Sequence, residues 1–478
     1  MAETIQADLC IIGAGAGGLS LAAGASLMGA TVVLIERGAM GGDCLHYGCV
    51  PSKALLAAAA QAAAWRGGAD FGLASSTPTL TPAVDFAQVR AHVSGVVAGI
   101  APQDSRARFE ALGVRVIAGQ ARFTAPDRVE AAGLAIAARR FVVATGSGPL
   151  VPALPGLGSV PYLTNETIFA NPVLPTHLLV LGGGPAGLEL AQAHRRLGAR
   201  VSVLERARIL GHEDPELAAI LAERLTAEGI ALLEGVSVEE VARRAEGIVL
   251  RYRSGGQEQE IAGSHLLIAV GRKANIADLD LSAAGIAWTE AGITVDARLQ
   301  TSNRRVYAIG DAVGGPNFTH LANHHAGIVL RNVLFRLPAK VGRHAIPRVT
   351  YTDPELAAVG LSEAAARESS GPIRILRQSY YDNDRAQTGR RPHGLLKAII
   401  GRRGRILGAA IVGERAGELI QPWVLAMDRK LKIGALATMI APYPTLSELT
   451  SRAAGSYFLP ALLGRRSRAI VRFLARFG

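Results

Sequence analysis

Two stretches of the chain share one order of apolar and polar positions: a short apolar run, a glycine-rich turn, a helical stretch and a second apolar run that ends at an acid. The first stretch consists of Leu9–Ile12, Gly13-x-Gly15-x-x-Gly18, a helix through Ala22–Leu27, Thr31–Ile35 and Glu36. Short apolar runs bounded by turn residues are typical of buried parallel strands. The pattern therefore predicts a unit of strand, helix and strand.

The second stretch repeats the first. It consists of a strand from Leu178, Gly182-x-Gly184-x-x-Gly187, a helix through Leu188–Arg196, Val201–Leu204 and Glu205. In both copies 23 residues separate the first glycine from the acid. The first glycine makes a tight turn, the second lets a pyrophosphate approach the backbone, and the third lets helix and strand pack closely. The helix N-terminus stabilises the phosphate, and the acid binds a ribose diol. The repeat predicts two dinucleotide sites.

Composition narrows the class of protein. The length of 478 residues predicts about three domains, and the apolar content of 49% suits a well-buried α/β protein. No run of 18 apolar residues occurs, so no membrane-spanning segment is expected. The net charge is +12, but only six of the 51 basic residues are lysine and the arginines are spread along the chain. We therefore predict no nucleic-acid partner.

Two of the three cysteines, Cys44 and Cys49, lie in the thirteen residues Gly-Gly-Asp-Cys-Leu-His-Tyr-Gly-Cys-Val-Pro-Ser-Lys, 41–53. In an ideal helix residues five apart are about 8.6 Å apart at Cα, and a disulfide rarely spans more than about 7 Å. A bridge therefore needs distorted backbone, which Gly48 and Pro51 would help to supply. A disulfide that closes so short a loop stabilises the fold little, but it can serve as a reversible electron carrier. Two unrelated buried cysteines, or half of a metal site, are the alternatives; His46 alone completes no ligand set, and no metal site is predicted.

This segment resembles the redox-active disulfide motif of the class I pyridine nucleotide-disulfide oxidoreductases, which include dihydrolipoamide dehydrogenase, glutathione reductase and mercuric reductase. The resemblance implies an α/β fold with two Rossmann-like dinucleotide-binding domains, for FAD and NAD(P), and a C-terminal α+β dimerisation domain. The implied divisions are an FAD-binding domain at 1–150, an NAD(P)-binding domain at 151–275, a central FAD-contacting segment at 276–345 and an interface domain at 346–478. It also implies a homodimer whose active site is shared between chains.

Further segments resemble the family along the whole chain: Phe141–Ser147, Ala269–Arg272, Val306–Asp311, and Tyr351–Glu355. The first dinucleotide unit precedes the cysteines by only a few residues, so it is expected to hold FAD. The residues expected at FAD are Gly13, Gly15, Gly18, Glu36, Gly42, Asp43, Lys53, Thr145, Gly146, Asp311, Leu321 and Ala322. Those expected at NAD(P) are Gly182, Gly184, Gly187, Glu205 and Gly271. Leu321 and Ala322 are expected to begin a helix aimed at the flavin.

The choice of nicotinamide nucleotide depends on three residues. Glu205 would repel a 2′-phosphate and bind a free 2′-hydroxyl, which favours NADH. Arg206 and Arg208 follow directly and are the kind of residue that holds a 2′-phosphate. We predict NADH as the preferred donor.

The resemblance also implies an electron path. Hydride passes from the nicotinamide to the flavin, and the flavin reduces the disulfide. By analogy Cys49 faces the flavin, and Cys44 is the interchange thiol that meets the substrate. Lys53 is expected to pair with Glu189 beside the flavin.

One segment departs from the disulfide-reducing members. Their interface domain carries His-Pro-Thr-x-x-Glu, in which His is the acid-base partner of the interchange thiol. This chain has Tyr443-Pro-Thr-Leu-Ser-Glu448. A phenol titrates near pH 10 and an imidazole near 6.5, so we predict poor turnover of dithiols or glutathione disulfide. His320, His324 and His325 are expected to be helix caps or surface residues rather than substitutes.

Mercuric reductase also has Tyr at this position, where a soft metal ion needs ligands. Cys44, Cys49 and Tyr443 would form such a site, although the tail from Gly455 to Gly478 lacks the cysteine pair of that enzyme. The sequence thus predicts an FAD-dependent NAD(P)H oxidoreductase that passes electrons through Cys44 and Cys49. Its acceptor is a metal ion, as in a mercuric reductase, a small disulfide, or a quinone or oxygen reduced at the flavin. A redox-sensing or non-catalytic flavoprotein subunit is the alternative of another class.

The N-terminus runs directly into a strand, unlike a signal peptide, so a cytoplasmic enzyme is predicted. The C-terminal residues 461–478 carry five arginines and no acid. Ile470, Phe473, Leu474 and Phe477 recur at helical spacing. This pattern predicts a basic amphipathic helix, and a helix of this kind can lie peripherally at the inner face of an anionic membrane. The alternative is a helix packed on the interface domain or on the dimer partner.

Overall fold

The computed structural model describes residues 4–73, 83–245, 247–342 and 345–477. The final residue of the predicted tail helix, Gly478, lies outside the described residues. The chain divides into two compact units. The first comprises Met1–Arg206 and Gly235–Arg343, and the second comprises Ala207–Glu234 and His344–Gly478.

The helices in chain order are α1 (Ala16–Leu27), α2 (Gly42–His46), α3 (Cys49–Arg66), α4 (Phe86–Ile100), α5 (Arg106–Ala111), α6 (Pro185–Leu197), α7 (Pro215–Ala227), α8 (Thr319–Leu334), α9 (Glu363–Ser370), α10 (Asp384–Thr388), α11 (Ala416–Leu419), α12 (Gln421–Asp428), α13 (Ile433–Ala437), α14 (Glu448–Ser456), α15 (Leu459–Leu462) and α16 (Arg465–Leu474). The strands in chain order are β1 (Thr4–Ile12), β2 (Val32–Glu36), β3 (Arg115–Ala118), β4 (Arg122–Ala125), β5 (Arg128–Ala131), β6 (Leu134–Val143), β7 (Ser147–Pro149), β8 (His177–Leu181), β9 (Arg200–Glu205), β10 (Ile230–Glu234), β11 (Val236–Arg244), β12 (Gly247–Ser254), β13 (Gln257–Gly263), β14 (His265–Ile268), β15 (Arg272–Ala274), β16 (Trp288–Thr289), β17 (Gly292–Ile293), β18 (Val306–Ala308), β19 (Arg348–Thr350), β20 (Glu355–Gly360), β21 (Arg374–Ser379), β22 (Leu395–Ile400) and β23 (Ile406–Gly413).

The first unit is built on a sheet in the order β3-β2-β1-β6-β5-β4, in which β18 also pairs with β6. Strands β1, β2, β3, β6 and β18 run parallel. Alternate residues of β1 enter different cores: Leu9 and Ile11 pack with side chains of α1 and α8, whereas Cys10 and Ile12 pack with Phe123. Burial on both faces explains why the second half of this strand, Leu9–Ile12, is apolar without alternation.

The predicted second dinucleotide unit folds as the first one does. Strand β8 pairs in parallel with β9 and β14, and α6 connects β8 to β9. An antiparallel sheet in the order β11-β12-β13 follows in the chain. The two glycine turns therefore lie at the carboxyl ends of parallel strands, which is where open α/β sheets bind ligands.

The second unit contains an antiparallel sheet in the order β19-β20-β23-β22-β21. Its core includes Ile411, Leu396 and the fully buried Trp423 of α12. This arrangement of sheet and helices agrees with the predicted α+β class of the C-terminal domain.

The C-terminal tail forms α15 and α16, which are separated at Gly464, rather than one continuous helix. The apolar stripe predicted there is more than half exposed: Ile470 57%, Phe473 57%, Leu474 59% and Phe477 74%. The alternative that the stripe packs on its own interface domain is therefore wrong. Within the described residues, no helix is long and apolar enough to cross a bilayer.

Candidate active site

The first glycine turn, between β1 and α1, needs glycine at two positions for internal reasons. Gly13 has φ +107°, and a Cβ there would lie 2.4 Å from the Ala144 carbonyl oxygen. A Cβ on Gly18 would lie 1.9 Å from the Gly13 carbonyl oxygen. At Gly15, in contrast, the nearest atom to a Cβ is 3.9 Å away. The protein itself does not require glycine at position 15, but a phosphate that approaches the backbone would.

The second turn reproduces these three environments. Gly182 has φ +112°, and its Cβ would lie 2.4 Å from the Ala269 carbonyl oxygen. A Cβ on Gly187 would lie 2.1 Å from the Gly182 carbonyl oxygen, and one on Gly184 would meet nothing within 4 Å. Both turns therefore leave open space at the glycine that dinucleotide binding needs, and both fit the cofactors that the sequence predicts.

The acid at the end of each second strand also braces its own turn. Glu36 accepts hydrogen bonds from Ala14 N at 2.6 Å and Gly38 N at 2.8 Å. Glu205 accepts from Gly183 N at 2.8 Å. The 23-residue spacing thus places both carboxylates beside the glycine turn, where a ribose would lie.

Residues predicted around the flavin surround the end of β6. The Thr145 hydroxyl is buried and has no hydrogen-bond partner among the described residues, which fits a site that a bound dinucleotide completes. Gly146 has φ +66°. Asp311 accepts a 2.6 Å hydrogen bond from Ser147 Oγ, and burial raises the pKa of its carboxyl.

The flavin-side helix α8 begins at Thr319, two residues before the predicted start at Leu321. A Cβ placed on Gly17 of α1 would lie 3.2 Å from the Ala322 carbonyl oxygen, so α1 and α8 approach closely at this point. The expectation that His325 is a cap or a surface residue is wrong. His325 is 5% exposed, its Nδ1 accepts from Gly310 N at 3.2 Å, and burial lowers its pKa to about 4. A neutral ring therefore supports the turn that leads to Asp311.

Cys44 and Cys49 lie on either side of a helix break. Helix α2 ends at His46 and α3 begins at Cys49, because Gly48 adopts the non-helical angles φ −125° and ψ −116°. The prediction for Pro51 is wrong: it lies in the first turn of α3, where proline fits without distortion. The two cysteines are free thiols here and share a hydrogen bond.

The two thiols differ in acidity. The hydrogen bond from Cys44, another with Thr319 (Sγ to Oγ1, 3.7 Å) and the charge of Lys53 lower the pKa of Cys49 to about 6. The same Cys44–Cys49 hydrogen bond, together with burial, raises the pKa of Cys44 well above its usual range. At neutral pH Cys49 is therefore the thiolate of the reduced pair. Thr319 was not identified from the sequence, and only its place at the start of α8 could have indicated it.

Lys53 and Glu189 lie together, as the resemblance implied. Lys53 Nζ lies 2.7 Å from Glu189 Oε2, and the Glu189 side chain is 6% exposed. Lys53 lies on α3 and Glu189 on α6, so this ion pair links the helix that carries Cys49 to the second dinucleotide unit.

Asp43, directly before Cys44, has partners that the sequence did not predict. Arg272 Nη2 lies 3.2 Å from Asp43 Oδ1. Asn165 Nδ2 donates to Asp43 Oδ1 at 3.0 Å and to the Tyr47 carbonyl oxygen at 3.2 Å. Gly42 lies against the first turn, since a Cβ there would be 2.7 Å from the Gly15 Cα. These contacts fix the loop before the redox pair.

The predicted NAD(P) residue Gly271 has φ +138° and precedes Arg272 at the start of β15. Its carbonyl oxygen accepts from Leu150 N at 3.0 Å. Arg272 Nε donates to Ser147 Oγ at 2.7 Å. Gly271 is therefore the residue before Arg272, whose side chain lies beside both Asp311 and Asp43.

Tyr443 and Glu448 belong to the second unit and do not bond to each other. Tyr443 is 70% exposed, and its hydroxyl donates to Asp384 Oδ2 at 2.8 Å. That hydrogen bond raises the pKa of Tyr443 above its ordinary value near 10. Glu448 Oε1 instead accepts from Arg452 Nη2 at 3.2 Å. The phenol is therefore a weaker acid than a free tyrosine, and it keeps its proton at neutral pH.

Comparisons with known proteins agree with this geometry. A family model of the pyridine nucleotide-disulphide oxidoreductases matches residues 7–326, and the model of their dimerisation domain matches residues 346–454. Mercuric reductase from Staphylococcus aureus is 34% identical over 449 residues, which are 92% of this chain and 80% of that protein. Dihydrolipoyl dehydrogenase from Thermus scotoductus is 34% identical over 455 residues, which are 92% of this chain and 95% of that protein.

A solved structure has the same fold. The Cu(II) complex of the HOCl-induced flavoprotein disulfide reductase RclA from Escherichia coli superposes with a TM-score of 0.84 at 28% identity, covering 95% of this chain and 99% of that one. The predicted fold class, the cofactors FAD and NAD(P)H, the FAD-dependent oxidoreductase activity and the homodimer are confirmed. The chain belongs to the class I pyridine nucleotide-disulfide oxidoreductase family.

Proposed function

We propose that the electron acceptor of this enzyme is a soft metal ion. Cys44 and Cys49 bind the ion in their reduced form, and Tyr443 is its third ligand. The observation that carries the proposal is the hydrogen bond of Tyr443 to Asp384. Position 443 is where disulfide-reducing members have their acid-base histidine, and here it holds a phenol whose pKa is raised. A phenol that keeps its proton at neutral pH is a poor acid-base partner for a thiol, so we assign Tyr443 a contact with the acceptor through its oxygen lone pairs.

The chemistry of the cysteine pair supports the same conclusion. Thiolates are the preferred protein ligands of soft metal ions, and Cys49 has a pKa of about 6, lowered mainly by its hydrogen bond with Cys44. Bound FAD would supply electrons from one NAD(P)H to reduce the disulfide to the dithiol, and electrons from a further NAD(P)H to reduce the metal ion that the dithiol binds. Several relatives at about the same identity are mercuric reductases, from Staphylococcus aureus (34%) and Streptomyces lividans (35%), and the similar structure of RclA contains Cu(II).

The individual roles are part of this proposal. Cys44 meets the acceptor and Cys49 faces the flavin, while Lys53 and Glu189 set the charge beside Cys49. The partner subunit contributes position 443 to a shared site in the homodimer. The two glycine turns hold FAD and NADH, and the division at 150, 275 and 345 separates the corresponding domains. Glu205 supports NADH because its carboxylate lies at the second turn.

An anaerobic acceptor screen tests the proposal. NADH oxidation is measured with Hg(II) bound to a thiol buffer, with Cu(II), with lipoamide and with glutathione disulfide. We expect metal-dependent oxidation in wild type that is lost in Cys44→Ala. Tyr443→His should raise disulfide turnover, because a general base near neutrality contributes roughly 10²- to 10⁴-fold.

Tyr381→His is the matched control, since Tyr381 is an exposed tyrosine of the same unit at 69% exposure. It should leave every acceptor rate unchanged. Rapid lipoamide or glutathione disulfide turnover by the wild type, at the rate of Tyr443→His, would overturn the proposal in favour of a disulfide reductase.

We further propose that the tail contacts an anionic membrane surface peripherally. The apolar stripe of α16 is exposed, and the five arginines of residues 461–478 have no acid among them. Two copies of so basic a helix would repel each other, which disfavours self-association through this face. A dimer presents two helices, so weak lipid contacts gain from avidity.

Vesicle co-sedimentation tests this second proposal. Wild type should pellet with anionic vesicles at low salt and remain in the supernatant with neutral ones, and a truncation after Pro460 should not pellet. Arg402→Gln with Arg403→Gln removes basic charge elsewhere and should pellet like wild type. Equal pelleting of truncation and wild type would exclude the membrane role, and a truncation that loses the dimer would assign the stripe to the partner subunit.

A further inference from the structure

The segment that carries Tyr443 is anchored by the turn before α10. Asn383 is fully buried, and both ends of its amide are used. Its Oδ1 accepts from Ala386 N at 3.0 Å and so caps α10, while its Nδ2 donates to the Thr445 carbonyl oxygen at 3.0 Å. A buried, doubly bonded amide holds its partners in one geometry. Asn383 therefore fixes the backbone two residues beyond Tyr443.

The residue before Asn383 makes a second connection. Arg452 Nη1 donates to the Asp382 carbonyl oxygen at 2.7 Å, and its Nη2 donates to Glu448 Oε1 at 3.2 Å. Glu448 Oε2 is buried and has no hydrogen-bond partner among the described residues. The Glu448 carboxylate is thus directed to an arginine, and it does not hydrogen-bond to Tyr443.

The residue after Asn383 bonds to the functional side chain itself. Asp384 Oδ2 accepts the Tyr443 hydroxyl proton at 2.8 Å. We propose that Asp384 is the positioning residue of Tyr443. It fixes the phenol by accepting a hydrogen bond from the hydroxyl group, and this leaves the lone pairs of the phenol oxygen to contact the metal ion. This inference rests on the proposed function, because it concerns how Tyr443 meets a metal ion.

Orientation, rather than stability, is the expected effect. Both side chains are exposed in the protomer, and an exposed pair contributes little to unfolding free energy. A phenol has one donor and two acceptor positions, so a carboxylate that takes the donor decides which way the acceptor positions point. Asn383 and Asp384 thus hold the segment at two points, Thr445 and Tyr443.

The test compares Asp384→Ala and Asp384→Asn with Asp382→Asn. The control removes the same charge two residues away, at a position whose contact with Arg452 uses the backbone carbonyl. With Hg(II) or Cu(II) as acceptor, kcat/KM should fall about tenfold in Asp384→Ala, as for other groups that orient a metal ligand. It should fall less in Asp384→Asn, which keeps an acceptor oxygen. Ferricyanide reduction, which does not use the phenol, should not change in any variant.

The second readout is the phenolate absorbance of Tyr443, taken as the difference from Tyr443→Phe across a pH titration. Asp384 and Glu448 raise the pKa of Tyr443 and Arg452 lowers it. Asp384→Ala should therefore move the titration to lower pH, and Asp382→Asn should not. If Asp384→Ala matches Asp382→Asn in both readouts, Asp384 has no positioning role. If wild type reduces neither metal, the proposed function fails. If wild type reduces them and Asp384→Ala keeps the wild-type kcat/KM, the proposed function stands and the positioning role of Asp384 fails.

Discussion

Lys397 is a buried ammonium group, and we predict that its loss destabilises the second unit. It lies on β22 and is 3% exposed. Its Nζ lies 2.8 Å from Asp214 Oδ2, 2.9 Å from Glu216 Oε2 and 2.8 Å from Glu363 Oε2. Asp214 is the N-cap of α7, Glu216 lies in the first turn of α7 and Glu363 begins α9. One cation therefore joins three elements around the sheet.

The magnitude follows from what Lys397→Met leaves behind. Removing one partner of a buried ion pair costs about 3 to 5 kcal/mol, because the remaining charge is uncompensated. Here Glu216 keeps Arg377 at 2.8 Å and Glu363 keeps Arg367. We therefore expect a loss near the lower end, about 3 kcal/mol. At about 2 to 4 °C per kcal/mol this lowers the unfolding midpoint by about 6 to 12 °C.

The assay is thermal unfolding followed by circular dichroism on the holoenzyme at neutral pH. Arg367→Met is the matched control: it also removes a cation bound to Glu363, but the Arg367 side chain is 62% exposed. Its effect should stay below about 1 kcal/mol. If Lys397→Met changes the midpoint by less than about 2 °C, the carboxylates do not depend on Lys397 and the reasoning is wrong.

We also predict that the carboxylates around Lys397 make the protein less stable in acid. The hydrogen bond from Arg377, assisted by that from Lys397, lowers the pKa of Glu216 to about 2 from the usual 4.5. A folded-state pKa below the unfolded value gives stability that is present above pH 4.5 and is lost as the pH falls through 2. Wild type should therefore lose stability across this window, and Lys397→Met should lose less, because part of the shift is already gone.

Three further predictions follow from the turns and the cysteine pair. The Cβ of Gly184→Ala would meet no protein atom within 4 Å, so this variant should fold with FAD bound but lose NADH affinity. The Cβ of Gly187→Ala would lie 2.1 Å from a carbonyl oxygen, so that variant should fail to fold. Equal NADH affinity in wild type and Gly184→Ala, measured by titration, would contradict this prediction. The Glu205 carboxylate lies at the second turn, where it would bind a free 2′-hydroxyl and repel a 2′-phosphate. We therefore expect kcat/KM to be higher with NADH than with NADPH, and a tenfold preference for NADPH would refute this prediction. Protein reduced by one equivalent of NADH should show a long-wavelength absorbance band from the Cys49 thiolate beside the flavin. Cys44→Ala has no disulfide to reduce, so it should show this band without NADH, and only at a higher pH because it lacks the Cys44 hydrogen bond. Cys49→Ala should lack the band, and the reverse pattern would exchange the two roles.

The local parts of this molecule could be predicted from the sequence, because their causes lie within a few residues. A glycine pattern at fixed spacing determines a turn, and the structure gives the reason, since a Cβ at Gly18 or Gly187 would collide with the carbonyl of the first glycine of its own turn. Helix and strand bounds moved by only a few residues. For example, the sequence predicted a helix through Ala22–Leu27, and α1 begins earlier, at Ala16.

The long-range partners could not be predicted, because the residues lie far apart in the chain and share no periodic pattern. Asp384 lies 59 residues before Tyr443, Arg272 lies 125 residues after Ser147, and Lys397 lies 183 residues after Asp214. Charged residues at such positions are usually solvated. Only the fold determines which of them become buried and paired.

The ion pair of Lys53 and Glu189 shows how the fold adjusts one thiol. The hydrogen bond from Cys44 dominates the pKa of Cys49, which is about 6; burial raises this pKa and the hydrogen bond with Thr319 lowers it. Of the ion pair, Lys53 lowers the pKa of Cys49 and Glu189 raises it. Lys53→Met should therefore raise the pH at which the Cys49 thiolate band appears, and Glu189→Gln should lower it. Lys273→Met is the matched control and should leave that pH unchanged. The reduced enzyme is titrated anaerobically from below pH 6 upward, so the thiolate forms as the pH rises through the pKa. A shift in the same direction in both variants would mean that the pair acts by holding α3 against α6, and its charges would then have no part in setting the acidity of Cys49.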